Sequence, residues 1–275
     1  MRVKKRAVLT MCGAVLAGVA GAGSTAVSAA AADPEQATTV AAEDAAGDPW
    51  VYSDKWGVIG RNTIGSPVAE LRFGPWGRTT AAPAATQKPP YGHGSLGLLV
   101  AAGPNPAVTT DDEKIAYGNE TDFAGVRLRD IKTLSYSIFT AMDSIAQVAL
   151  PGIAFEIDPK LNPGVTYSTL GYLPNISQSP SAPATPTQGR WQTYDAAATG
   201  SRWFATGATG PAINCTLASP CTFAQAKAAL PNAVITYSVE FQKGRDNAFT
   251  GAVDGLRIND DLYDFEFKGV RKRRI

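Results

Sequence analysis

From Trp50 onward the chain is made of short runs in which apolar and polar residues alternate, with Gly, Pro, Asn and Asp between them. A period of two sends successive side chains to opposite faces of an extended strand. Residues 133–140 show the pattern: Leu134, Tyr136 and Ile138 fall on one face, and Ser135, Ser137 and Phe139 on the other. Comparable runs cover 68–73, 95–101, 114–117, 153–158, 166–173, 190–194, 202–205, 233–242, 252–258 and 262–267. Many short strands separated by turn residues predict an all-β fold, a two-sheet antiparallel β-sandwich.

Two segments depart from simple alternation. Thr222 and Gln225 have the spacing of a capping box, Phe223, Ala226 and Leu230 share a helical face, and Pro231 stops the run. One short helix is expected there. In the run near 249–258, Phe249, Gly251 and Val253 share one face while Leu256 and Ile258 share the other. Either Asp254-Gly255 forms a bulge or that strand is buried on both sides.

The amino end has a different character. Residues 1–6 are basic, 7–23 are uncharged and apolar, and Val27-Ser28-Ala29 and Ala30-Ala31-Ala32 are small-residue cleavage sites. This layout predicts a secretory signal peptide over 1–32 and a secreted, extracellular protein. A lipid anchor on Cys12 is disfavoured by Met11 and the short apolar run before it, and Lys5-Arg6 is not a twin-arginine signal. Residues 33–48 are Ala-rich and acidic, a flexible linker by composition. Residues 49–268 form a single sandwich domain, and 269–275 are a basic tail expected to be a solvated end. No further stretch is long and apolar enough to span a bilayer.

Loss of Arg2, Lys4, Lys5 and Arg6 lowers the 25 Lys and Arg to 21 against 24 Asp and Glu, a net charge near −3. That balance argues against nucleic acid as a partner. Beyond the leader two cysteines remain, Cys215 and Cys221, and in an oxidising compartment they read as a local disulfide worth about 2 kcal/mol.

Candidate chemistry is sparse. Glu156 and Asp158 stand two apart on a predicted strand and so share a face. A Glu-x-Asp pair occurs in retaining glycosidases on concanavalin-type sandwiches, but the third acid of that pattern is replaced here by Leu161 or Asn162. The competing reading is a polar strand face with Asp158 capping a turn. His93 takes the place of the first glycine of a hydrolase elbow around Ser95, so a turn opening a strand is favoured there. A lyase reading of Ala69–Arg72 and Glu240–Gly244 fails for want of a Gln-x-His strand.

Trp76, Trp191, Trp203, Tyr91 and Tyr172 are the candidate ligand-binding residues, as flat platforms for a pyranose, weighed against core packing. Asp143, Asp260 and Asp261, with Asp111-Asp112, are the candidate Ca²⁺ ligands. None has the spacing of a calcium loop, so turn chemistry is the default and no cofactor is assigned.

The run Phe249-Thr-Gly-Ala-Val-Asp-Gly-Leu-Arg-Ile258 resembles the closing strand of laminin-G-like, concanavalin A-like jelly rolls. With Gly94-Ser-Leu96, Leu134-Ser-Tyr-Ser137, Trp191-Gln-Thr-Tyr-Asp195 and Cys215…Cys221-Thr-Phe223, the domain resembles a group of secreted actinobacterial β-sandwich proteins without assigned activity. The resemblance implies the fold and carries no catalytic residue across.

Three functions follow as expectations. The first is a non-catalytic, monomeric sandwich that binds an extracellular polysaccharide, surface glycan or cell-wall polymer. The second is a glycoside hydrolase or related enzyme using Glu156. The third is a structural or protein-binding module of the cell envelope.

Overall fold

The structure, a computed structural model, describes residues 49–103, 112–148 and 150–275. The expected leader, the 33–48 linker and Asp111 lie outside the described residues. Two antiparallel sheets pack into a sandwich. In chain order the strands are β1 (Val51–Ser53), β2 (Trp56–Val58), β3 (Val68–Phe73), β4 (Gly94–Val100), β5 (Ile115–Asn119), β6 (Leu134–Thr140) and β7 (Gly152–Asp158). They continue with β8 (Ser168–Tyr172), β9 (Trp191–Asp195), β10 (Trp203–Ala205), β11 (Val234–Lys243), β12 (Phe249–Ile258), β13 (Asp261–Glu266) and β14 (Gly269–Arg274). One sheet of six runs β10-β8-β7-β11-β5-β2. The other, of eight, runs β1-β14-β13-β12-β4-β3, with β6 on the far side of β12 and β9 beyond it.

The core lies between the sheets and is built from the alternating residues of both. Leu134, Tyr136 and Ile138 of β6 face Phe155 and Ile157 of β7 and Val239 and Phe241 of β11 within one buried cluster. Tyr136 and Phe241 meet edge to face at 5.1 Å between ring centroids. The parity change in β12 is resolved by a bulge. Asp254 pairs with Ser137 and Arg257 with Ser135, one residue extra on β12, and Gly255 takes φ +64°. Phe249, Val253, Leu256 and Ile258 all reach the core as a result.

The capped helix α3 (Phe223–Ala229) forms as the spacing predicts, with both halves of the Thr222–Gln225 box made. Cys215 and Cys221 are joined just before it. Two single-turn helices were not legible in the sequence, α1 (Ala84–Gln87) and α2 (Thr209–Ala212). The first lies in the Pro-rich stretch 79–90, where the Gln87 side chain bonds Thr79 and Ala82 and closes the segment on itself.

Three strands escape sequence reasoning, and β14 corrects the expectation of a frayed basic tail. It pairs with β13 on one side and β1 on the other. The physical reason is cross-strand charge: Arg274 faces Asp261 and Arg271 faces Asp264 in the ladder. Arg271 and Arg273 also lie over the Trp50 ring. A run of four cations is unfavourable alone and well placed beside an acidic strand.

Candidate functional site

Strand β7 buries Phe155 and Ile157 in the core, so Glu156 between them points to the outer face of the six-stranded sheet. The same parity on β11 puts Ser238 and Glu240 on that face, since Val239 and Phe241 go inward. Ser238 stands directly across from Glu156, and Glu240 one diagonal step away, opposite Ala154. On the other side of Glu240 is Gly118 of β5, where a Cβ would run into the glutamate stem. The glycine gives Glu240 its room.

A 3₁₀ turn at Gly60–Asn62 covers the two acids. Its flanks are clamped to β5 and the residue before it: the Ile59 amide donates to the Ala116 carbonyl at 2.9 Å, and the Ile64 amide to the Lys114 carbonyl at 2.8 Å. The clamped turn holds Asn62 so that its Nδ2 donates to Glu156 Oε1 at 3.0 Å and to both oxygens of Glu240 at 3.1 Å. Glu156 Oε1 also accepts from Tyr167 Oη at 2.7 Å, and Oε2 from Ser238 Oγ at 2.7 Å. Arg61 forms an ion pair with Glu156 Oε2 and another with Glu120. The four acceptor positions of the Glu156 carboxylate are all engaged.

These surroundings drive the two acids apart. Burial pushes the Glu156 carboxyl up, but the hydrogen bonds from Asn62, Ser238, Tyr167 and Arg61 together outweigh it and hold the group below its usual range. Burial above all raises Glu240; the Asn62 hydrogen bond opposes it, the Glu156 charge adds to the rise, and Gln242 and Lys114 oppose it more weakly. The Tyr167 phenol is pushed up to about 12, mainly by burial, with Glu156 adding to the rise. It is a donor, not a base, at neutral pH.

The upper rim is aromatic. A register shift in β11 between Ile235 and Ser238 inserts Thr236 and Tyr237 into the ladder against β7. Tyr237 projects from this bulge and is 48% exposed. Its ring meets that of Tyr167 at 5.7 Å and 62°, and the Arg61 guanidinium lies 5.8 Å from the Tyr237 centroid. Arg61, Asn62, Glu156, Tyr167 and Tyr237 together line an open depression of about 300 Å³.

Of the residues expected from sequence, Glu156 lies at the heart of this site and Asp158 does not join it. Asp158 pairs with Lys160 at 2.6 Å and accepts the Lys160 amide, a turn cap at the strand end. Trp203 and Tyr172 correct the expectation of ligand platforms. Trp203 is fully buried, stacked on Phe155 and Phe223, and Tyr172 packs beside it with its hydroxyl on Ser181. An inter-sheet core needs large rings, and both sit where β8 and β10 face inward.

Trp76 is covered by the Arg72 guanidinium at 3.4 Å and held against Gly97, and Tyr91 lies against Gly255. Each fills the space a missing side chain leaves. Trp191 is half-buried and bordered by a separate groove. Ser95 is buried with its hydroxyl on the Gly74 carbonyl, and the His93 ring stacks on Phe73, so no nucleophile–base pair exists there. Asp260 and Asp261 pair with Arg274 and Lys272, both at 3.6 Å, Asp112 accepts from the Gly103 amide, and Asp143 is exposed in a turn. Among the described residues no group of three or more His, Cys, Asp or Glu is placed to hold a metal ion.

Arg61, Asn62, Tyr167, Tyr237, Ser238 and Glu240 were missed. A usable signal existed for Glu240: like Glu156, it is an acid set between two large apolar residues of a strand, which forces it onto the opposite face. The turn residues carried none. Comparison with protein-family models, with curated proteins and with solved structures finds no match to this chain.

Proposed function

We propose that this protein is a secreted glycan-binding sandwich whose binding site is the outer face of the six-stranded sheet, around Arg61, Tyr167 and Tyr237. The observation that carries this reading is the pair of exposed phenol rings, inclined at 62° to each other beside a fully engaged carboxylate. Tyrosine rings offer the C–H faces of a pyranose an apolar platform at small entropic cost, and fixed polar groups beside them set orientation. Here Glu156 fixes Arg61, Asn62 and Tyr167 at once, so the polar rim is preorganised.

The same geometry favours binding over catalysis. Glu156 and Glu240 are both almost wholly buried under Asn62, and neither presents a free oxygen to a bound sugar. A general acid must reach the glycosidic oxygen to protonate it. One observation supports glycoside hydrolysis as a second reading: the two acids are shifted in opposite directions, as hydrolases shift their acid and base.

Retention on insoluble neutral polysaccharides separates these readings. The parent chain is expected to be retained by at least one polymer, and Tyr237→Ala and Arg61→Met to lose that retention while melting normally. Retention unchanged in both variants would remove this face from consideration. Release of reducing ends by the parent, abolished in Glu240→Gln, would replace the binding reading with the hydrolytic one.

A further inference from the structure

The eight-stranded sheet carries a second groove, different in chemistry from the first. Trp191 opens β9, and its ring packs on Phe139 of β6 at 5.7 Å between centroids. Its indole Nε1 donates to the Gln87 carbonyl at 3.2 Å, and Thr86 Oγ1 donates to the Gly189 carbonyl at 3.1 Å. These bonds fasten the 79–90 segment, already closed on itself by the Gln87 side chain, along the edge of β9. Between the segment and the strand lies a groove of about 540 Å³, lined among others by Lys88, Arg190, Trp191 and Thr193. A volume of this size falls in the ~300–1,000 Å³ span of ligand sites.

Charge gives the groove its character. Lys88 and Arg190 are both exposed and line it from opposite walls, one on the 79–90 segment and one just before β9. Neither makes an ion pair with a carboxylate among the described residues, and no acid lines the groove. Most cations on β14, by contrast, are matched by acids of β13 and of the turn just before it. Two unmatched cations beside a fixed indole, on a chain whose 25 Lys and Arg nearly balance its 24 Asp and Glu, form a local anion site rather than a broad basic face.

We propose that this groove binds an acidic polysaccharide through its uronate units. Each uronate supplies on one ring both groups the groove is set to receive. A C–H face meets the part of the Trp191 ring that lines the groove, and a carboxylate meets the Arg190 guanidinium or the Lys88 ammonium. A polyol-phosphate backbone offers the charge without a flat sugar face beside it, and a neutral glycan offers the face without the charge. The inference is independent of the site on the six-stranded sheet, since no residue is shared.

Affinity electrophoresis of the folded chain in polygalacturonate gels tests it, with fully methyl-esterified polymer as the neutral arm. The parent is expected to be retarded by polygalacturonate and not by the ester, and retardation is expected to fade as salt is raised. Lys88→Glu/Arg190→Glu should weaken binding at least tenfold with an unchanged melting curve. Trp191→Phe, which keeps a ring against Phe139, should weaken it a few-fold, and Tyr237→Ala should leave it intact. No retardation of the parent, equal retardation by the ester, or affinity unaffected by the double charge reversal overturns the proposal.

Discussion

Glu156 and Glu240 on the six-stranded sheet, and Asp254 and Asp264 on the eight-stranded sheet, are both pairs of acids withdrawn from water, each with an arginine alongside. On the eight-stranded sheet the pair is sealed. Arg271 donates to Asp264 through Nε and Nη2, both at 2.8 Å, and the Tyr91 and Phe265 amides donate to Asp254. The residues around 91–93 lie on top, with the His93 amide on Glu266. On the six-stranded sheet the donors include side chains of the 60–62 turn and the exposed Tyr167, and the arginine remains 43% exposed. The sealed pair holds strands together; the open pair holds an exposed rim in place.

The largest test of that distinction is Asp264→Ala. It leaves Arg271 without its closest carboxylate in a mostly buried setting and should cost about 3–5 kcal/mol in denaturant unfolding. Glu156→Gln should cost less, about 1–3 kcal/mol, because some of its four donors regain water while others stay buried. The Gln variant should also lose glycan retention, as Arg61 and Tyr167 lose their common anchor. Similar stability losses at the two positions, with retention kept, would erase the contrast between the clusters.

Asp254 and Glu156 should also respond to pH with opposite signs. Burial and the Asp264 charge raise Asp254 in the folded protein, so its stabilising contribution is present below the unfolded value near 3.8 and is lost as pH rises through the folded value. Asp254→Asn should therefore gain on the parent as pH rises above that value. Glu156 is held below its usual 4.5, so its contribution is present above that value and is lost as pH falls through the folded one. Glu156→Gln should approach the parent's stability on acidification. Melting temperatures of parent and variants from pH 3 to 8 check both slopes, and parallel curves would refute the assignment.

The smallest stability effect belongs to Tyr237→Ala, expected within about 0.5 kcal/mol because the ring stands on a bulge outside the core. Its effect on glycan affinity should still be roughly tenfold, near 1.4 kcal/mol. A large loss of stability would mean that the ring is structural.

Hydrophobic periodicity by itself marked most of the strands. A strand with one face in a dry core has to alternate, so β3, β6, β7 and β11 could be marked from residue order, as could the capping box and the parity break at Asp254-Gly255. It could not mark β14, whose arginines are stabilised by acids on a neighbouring strand, nor tell Trp203 in the core from Trp191 beside a groove. Composition treats such rings alike; burial depends on which layer passes over them.

The candidate site belongs wholly to tertiary structure. Asn62 meets Glu156 and Glu240 across 94 and 178 residues of chain, and no local pattern records that meeting. Sequence order sets which face a side chain takes, because that is a property of one strand's backbone. Which side chains from other strands and turns share that face depends on sheet order and on a clamped turn, which only the packed fold supplies.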